Sequence, residues 1–217
     1  IGPNGAGKTT FFHLLTGTLT PTSGRIRFLG EEITGLPRHQ IVARGIARSY
    51  QKVNLFKRLS VFDNILTAAL ARYGGRRFSL FGKPAGLAAV HQQVERILEE
   101  VGLTDVASLQ AQELSYGDQR LLEIAIALAN QPRLLLLDEP TSGLGPTEIT
   151  QITSFVHRLA QNYTILLIEH NMELVMDLAD VISVMNFGEI IAEGTPEEIR
   201  HDARARQAYL GGDLDDA

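Results

Sequence analysis

The chain has 217 residues, 44% of them hydrophobic and 21% charged, a balance that suits a folded domain with a sizeable core and excludes a disordered or fibrous chain. A formal net charge of -5 leaves no overall basic footprint for nucleic acid, and the absence of cysteine excludes disulfides, thiolate catalysis and zinc ribbons and fits a cytosolic setting. No apolar run reaches the roughly 18 residues that span a bilayer, so work at a membrane would use a borrowed anchor.

In chain order, a glycine-rich motif follows Ile1 directly. Such a loop normally hangs from a preceding strand, of which only Ile1 could be part, so the chain reads as lacking its N-terminal strands. Phe11, Leu14 and Leu15 stand at helical spacing between Gly7 and Gly17 and predict a helix rising from that loop. A strand is predicted over Arg25–Leu29, a short helix over Pro37–Arg44 and a strand over Gly45–Tyr50. Val61, Phe62, Ile65, Leu66 and Ala69 predict a helix from Ser60, its N-cap, to Tyr73. Residues 74–86, rich in glycine and arginine, read as a solvated connection before a helix over Leu87–Val101. The second half alternates: helix Gly117–Asn130, strand Leu134–Asp138, helix Pro146–Gln161, strand Thr164–Ile168, helix Met172–Leu178, strand Val181–Met185. Continuously apolar strands between amphipathic helices predict a buried, mostly parallel sheet in an α/β fold. The polar tail Gly211–Ala217 reads as frayed.

Two motifs carry chemistry. Gly2-Pro-Asn-Gly-Ala-Gly-Lys-Thr9 fits G-x-x-x-x-G-K-[ST], in which small residues let backbone N–H groups turn around phosphate oxygens. Gly2, Pro3, Asn4, Gly5, Ala6 and Gly7 would cradle the phosphates, with Thr10 opening the helix behind them. Lys8 would reach the β- and γ-phosphates and Thr9 would ligate Mg2+. The apolar run Leu134–Leu137 then delivers Asp138 and Glu139 at its C-terminal end, where open α/β sheets place ligands. Asp138 suits the Mg2+ shell and Glu139 suits a general base for water. ATP with Mg2+ is the implied cofactor pair.

Leu114-Ser-Tyr-Gly-Asp-Gln-Arg120 resembles the signature of the ABC ATPases, in its LSxGxQ form. The resemblance implies a P-loop ABC ATPase core over residues 1–217, with a helical subdomain of about residues 60–130 carrying the signature. It implies that Ser115, Gly117 and Gln119 serve the nucleotide of a second subunit. Gln51 is similar to the family's Q-loop glutamine, which touches Mg2+ or the lytic water, and His170 in Leu167-Ile-Glu-His170 to its switch histidine. Two ATP-binding subunits, paralogous or identical, would pair head to tail. Transmembrane permease subunits would hold them at the cytoplasmic face of the membrane, with no direct contact with nucleic acid. The rim around Asn54, Leu55 and Phe56 would receive a permease helix, although Leu55 and Phe56 equally suit core packing.

The stretches GPNGAGKTTFF, GIARSYQKVNLFKRLSVFDNI, LSYGDQRLLEIAIALA, LIEHNMELVMDLAD and AEGTPEEI are similar to the ATPases of branched-chain amino acid importers. Leu36-Pro-Arg-His39 and Arg58-Leu-Ser-Val61 are shared as text with the ATPase of lipopolysaccharide export, the nearest rival within the architecture. A soluble ABC ATPase acting on ribosomes or nucleic acid is the rival from another class, and a cassette that binds ATP without hydrolysing it is a third. One departure stands out: Gly145 occupies the position where the family places Asp or Asn, a residue that helps organise the opposite site.

Overall fold

The structure, a computed structural model, describes residues 1–49, 55–73 and 84–209. In chain order these form α1 (Lys8–Leu15), β1 (Arg27–Phe28), β2 (Glu31–Glu32), α2 (Arg38–Ala43), β3 (Ile46–Arg48), α3 (Val61–Tyr73), α4 (Pro84–Val101), α5 (Tyr116–Leu128), β4 (Leu134–Asp138), α6 (Pro146–Ala160), β5 (Thr164–Ile168), α7 (Met172–Leu178), β6 (Ile182–Asn186), β7 (Glu189–Gly194), α8 (Pro196–His201) and α9 (Ala203–Tyr209). The chain divides into two compact units, one of Ile1–Gly35 with Leu167–Ala217 and the other of Leu36–Leu166.

In the Leu36–Leu166 unit, β3 and β4 run parallel with Ile46 opposite Leu134 and Arg48 opposite Leu136, and β4 is the middle strand in the order β3-β4-β5. Leu135, Leu136 and Leu137 are fully buried, as a strand covered on both faces requires. Helix α5 packs on α3, α4, α6 and β3 and turns Leu122, Ile124, Ala125 and Leu128 inward. Ser60 caps α3 as its sequence predicts, its Oγ accepting the Asp63 N–H at 2.9 Å.

In the other unit, Val175, Ile182, Val184, Ala192, Ile199 and Ala205 form the core. Ile1 lies along β6, its carbonyl accepting the Met185 N–H at 2.8 Å. β6 and β7 form an antiparallel hairpin closed by Phe187 and Gly188, with φ 46 and 84. Positive φ at both positions is the type I′ turn that suits the right-handed twist of a hairpin.

The predicted elements of the second half match to within two residues at their ends. Three places differ. Helix α4 begins at Pro84 rather than Leu87, because proline is well placed in a first helical turn. The strand predicted over Arg25–Leu29 shrinks to Arg27–Phe28, since Gly30 turns the chain straight back into β2. Strand β7 and helices α8 and α9 were not foreseen: phenylalanine at the first turn position hides the hairpin from a search for Asn-Gly or Gly-Gly. Tyr50, most of the connection 74–86 and the tail Gly211–Ala217 lie outside the described residues.

Candidate functional site

The glycine loop is shaped by its neighbours in its own unit. Gly2 has φ 153, and a Cβ there would stand 2.1 Å from the Met185 carbonyl oxygen, so no other residue fits without moving β6. Farther along, the Gly188 N–H donates to the Ala6 carbonyl at 2.8 Å, fixing the loop's second half to the β6–β7 turn. Gly5 and Gly7 take left-handed φ of 81 and 103, and Gly7 becomes the N-cap of α1. Within this turn the Ala6 N–H bonds Pro3 O at 3.2 Å, Asn4 and Gly5 are exposed, and Lys8 Nζ donates to Gly2 O at 2.5 Å and Pro3 O at 3.0 Å. The ammonium thus sits over the loop it follows. Thr9 and Thr10 occupy exposed positions in the first turn of α1.

His170, in the same unit, is exposed and follows the buried Glu169, whose Oε2 accepts the His170 N–H at 3.0 Å. Asn171 then caps α7 by accepting the Leu174 N–H at 3.2 Å.

In the other unit, β4 ends on Asp138, which is 2% exposed. Its Oδ2 accepts from Arg48 Nη2 at 2.5 Å, and both side chains are buried. A buried charge is tolerable only when paired in this way. Glu139, half-buried, adopts a left-handed φ of 48, a strained conformation for a non-glycine residue that turns the chain sharply at the strand end. The turn is closed by Ser142 N–H donating to Glu139 O and Leu144 N–H to Thr141 O.

The segment Leu114–Arg120 starts α5. Exposed Ser115 is the N-cap: its Oγ accepts the Asp118 N–H at 3.1 Å and donates to Asp118 Oδ2 at 2.8 Å. Gln119 folds back, its Nε2 donating to Leu114 O at 3.1 Å. Gly117 is buried and its N–H donates to Glu148 Oε1 at 3.2 Å, while the other oxygen of Glu148 accepts the Gly145 N–H at 2.9 Å. One carboxylate therefore serves the first turns of α5 and α6 together. Gly145 is the N-cap of α6, a position glycine fills at little cost.

Close by, an open cleft of about 200 Å³ is lined by Val42, Ala47, Arg48, Leu55, Glu123 and Ile126, among others. Asn64, 1% exposed, ties down Phe56, the residue that follows Leu55 of the lining. Asn64 Oδ1 accepts the Phe56 N–H at 2.9 Å and its Nδ2 donates to the carbonyls of Phe56, Leu59 and Ser60. Phe56 itself is 58% exposed, which sets aside core packing for its ring, while Leu55 is half-buried. Gln51 and Asn54 lie outside the described residues.

Each described candidate thus sits at a strand end, a loop or a first helical turn. Arg48, Asn64 and Glu148 were missed by sequence reasoning. Glu148 had a local signal, since Pro146 and Glu148 stand at the first and third helical positions after Gly145. Arg48 had only its place at the end of a strand, and Asn64 only its polar character on an apolar helix face.

Residues 1–142 match the family described as "ABC transporter", and residues 189–215 match the "Branched-chain amino acid ATP-binding cassette transporter" family. The chain is 46% identical over 218 residues to the high-affinity branched-chain amino acid transport ATP-binding protein BraF of Pseudomonas aeruginosa, covering 97% of this chain and 85% of that protein. It is 32% identical to the lipopolysaccharide export system ATP-binding protein LptB of Haemophilus influenzae, over 97% of this chain and 84% of that one. Among solved structures, the ADP conformation of MJ1267, an ATP-binding cassette of an ABC transporter, superimposes with a TM-score of 0.81. The identity there is 31%, with 98% of this chain and 86% of that chain covered.

Proposed function

This chain belongs to the ABC transporter family as one of its ATP-binding subunits, and from that membership we propose how its residues bind and hydrolyse ATP to power import of branched-chain amino acids. The glycine loop carries the reading. Gly2 is held against β6 where no side chain fits, Gly5 and Gly7 turn left-handed, and Lys8 caps the loop's own carbonyls. An ammonium already paired with two carbonyl oxygens can exchange them for phosphate oxygens, and the N-terminal end of α1 favours the anion. Gly2 to Gly7 enclose the phosphates, and Lys8, Thr9 and Thr10 complete the contacts.

Thr9 and Asp138 carry the hard hydroxyl and carboxylate oxygens that Mg2+ takes, and they would hold this ion. Gln51 is proposed as a further ligand. When bound, the ion neutralises charge on the transferring phosphoryl group. Glu139 takes the proton of the attacking water, and His170 steadies the γ-phosphate.

Ser115, Gly117 and Gln119 act on the nucleotide of a second ATP-binding subunit, paralogous or identical, in a head-to-tail pair. Because Glu148 engages the Gly117 N–H, Ser115 Oγ makes the first contact there. The cleft lined by Leu55, the neighbour of exposed Phe56, receives a helix of the permease, which holds the subunit at the cytoplasmic face of the membrane. Among the described residues no helix is long and apolar enough to cross a membrane.

The higher identity to BraF than to LptB, together with the C-terminal family match, supports amino-acid import over lipopolysaccharide export. The test is to recover the full-length protein from detergent-solubilised native membranes and identify its partners by mass spectrometry. Amino-acid permease subunits with a second ATPase are expected; lipopolysaccharide-export subunits, or ribosomes without a permease, would refute the assignment.

A further inference from the structure

We propose that Arg48 is a positioning residue that stands in for the metal on Asp138 and links the permease cleft to the metal site. This rests on the reading of Asp138 as a Mg2+ ligand. The observation is a pair 90 residues apart in sequence, brought together by the parallel register of β3 and β4. Arg48 Nη2 reaches Asp138 Oδ2 at 2.5 Å, with the side chains 5% and 1% exposed. In so dry a setting the guanidinium supplies the positive charge the carboxylate needs and holds Asp138 in place. The two cations then compete, because a guanidinium bonded to one oxygen repels a divalent ion approaching the same carboxylate.

Arg48 also lines the cleft, and Glu123 lines it too. Glu123 pairs with Arg120 at 2.8 Å, and its carboxylate is the acidic group of the cleft lining toward which a guanidinium leaving Asp138 would turn, sharing it with Arg120. A permease segment seated there acts on the Arg48 stem and shifts it from Asp138 toward Glu123. Metal loading is thereby eased in the assembled transporter.

The experiment uses purified full-length protein and a fluorescent ATP analogue, with binding measured in EDTA and across a Mg2+ titration. Arg48→Gln should lower the Mg2+ concentration for half-saturation about tenfold, the equivalent of ~1.4 kcal/mol, while metal-free affinity stays within about twofold. Arg48→Lys keeps the charge on a shorter, more strongly hydrated head group that reaches Asp138 less well, so a fall of about two- to threefold is expected even if Arg48→Gln folds poorly. Equal shifts with and without metal would mean a merely structural role, and an unchanged Mg2+ requirement in both variants would overturn the competition. Asp138→Asn separates the two readings: if it leaves the Mg2+ requirement unaltered, the assignment of Asp138 as ligand fails first. In the complex with its permease, the wild-type half-saturation should move toward that of Arg48→Gln; no movement would remove the cleft from the proposal.

Discussion

Glu148 bonds Gly117: its Oε1 accepts the buried glycine's N–H at 3.2 Å while its Oε2 accepts the N–H of Gly145. A carboxylate beside two helix N-termini is favoured by both dipoles and satisfies two backbone donors that helices leave unpaired. A Cβ on Gly117 would come within 3.2 Å of that oxygen, so a side chain there needs Glu148 to give way by a few tenths of an ångström. Glu148→Ala should cost roughly 1–2 kcal/mol, read as a shift in the urea midpoint of the full-length protein. Gly117→Ala should cost less if Glu148 swings away and nearly nothing in a Glu148→Ala background. Equal costs in both backgrounds would argue against the contact.

Asn64→Leu should uncouple Phe56, the neighbour of Leu55 in the cleft lining, from α3. It removes the acceptor of the Phe56 N–H and the donor to three carbonyls, leaving buried polar groups unmet at a cost of about 1–3 kcal/mol. Weaker recovery of permease subunits with ATP binding intact is the expected result; Asn64→Asp, which keeps the acceptor, should fall between.

Glu139→Gln should lower ATP turnover by about 10²–10⁴-fold while nucleotide still binds, because the amide cannot take the proton of water. Turnover measured by phosphate release in the purified full-length protein decides this, and an unchanged rate would remove Glu139 as the base.

Ser115→Arg should leave ATP binding intact and abolish ATP-driven pairing. Ser115 is exposed at the N-cap of α5, and a long cation there fills the space a second subunit's nucleotide needs. Light scattering with ATP, in a Glu139→Gln background that holds the closed form, should show monomers only.

Glu198 provides a pH signature. The Thr195 N–H at 2.8 Å and the Thr195 hydroxyl at 3.0 Å both donate to its carboxylate, and the backbone bond first, then the hydroxyl, hold its pKa below the ordinary 4.5. A pKa lowered on folding contributes stability that is fully present above the unfolded-state value and lost as pH falls through the folded value. Glu198→Gln should therefore lower the melting temperature at neutral pH, with the difference from wild type shrinking once the pH falls below the ordinary value of 4.5 and closing as it passes through the lowered folded value.

Sequence alone determined what depends on neighbours along the chain. The glycine spacing of Gly2 to Thr9, the apolar run ending in Asp138 and Glu139, and Leu114–Arg120 ahead of an amphipathic stretch each encode a local conformation and its chemistry. The family followed from those stretches, and the structure places them at a loop, a strand end and a helix start as their composition requires. Tertiary structure decided which buried charges and amides meet. Arg48 and Asp138 are 90 residues apart, and Glu148 and Gly117 are 31 apart. Nothing in local periodicity says that a guanidinium on β3 meets the acid ending β4, or that one cap carboxylate serves two helices. A single sequence shows which side chains need partners once buried; packing alone chooses among the partners, because burial makes each unmet charge or N–H costly enough to select one arrangement.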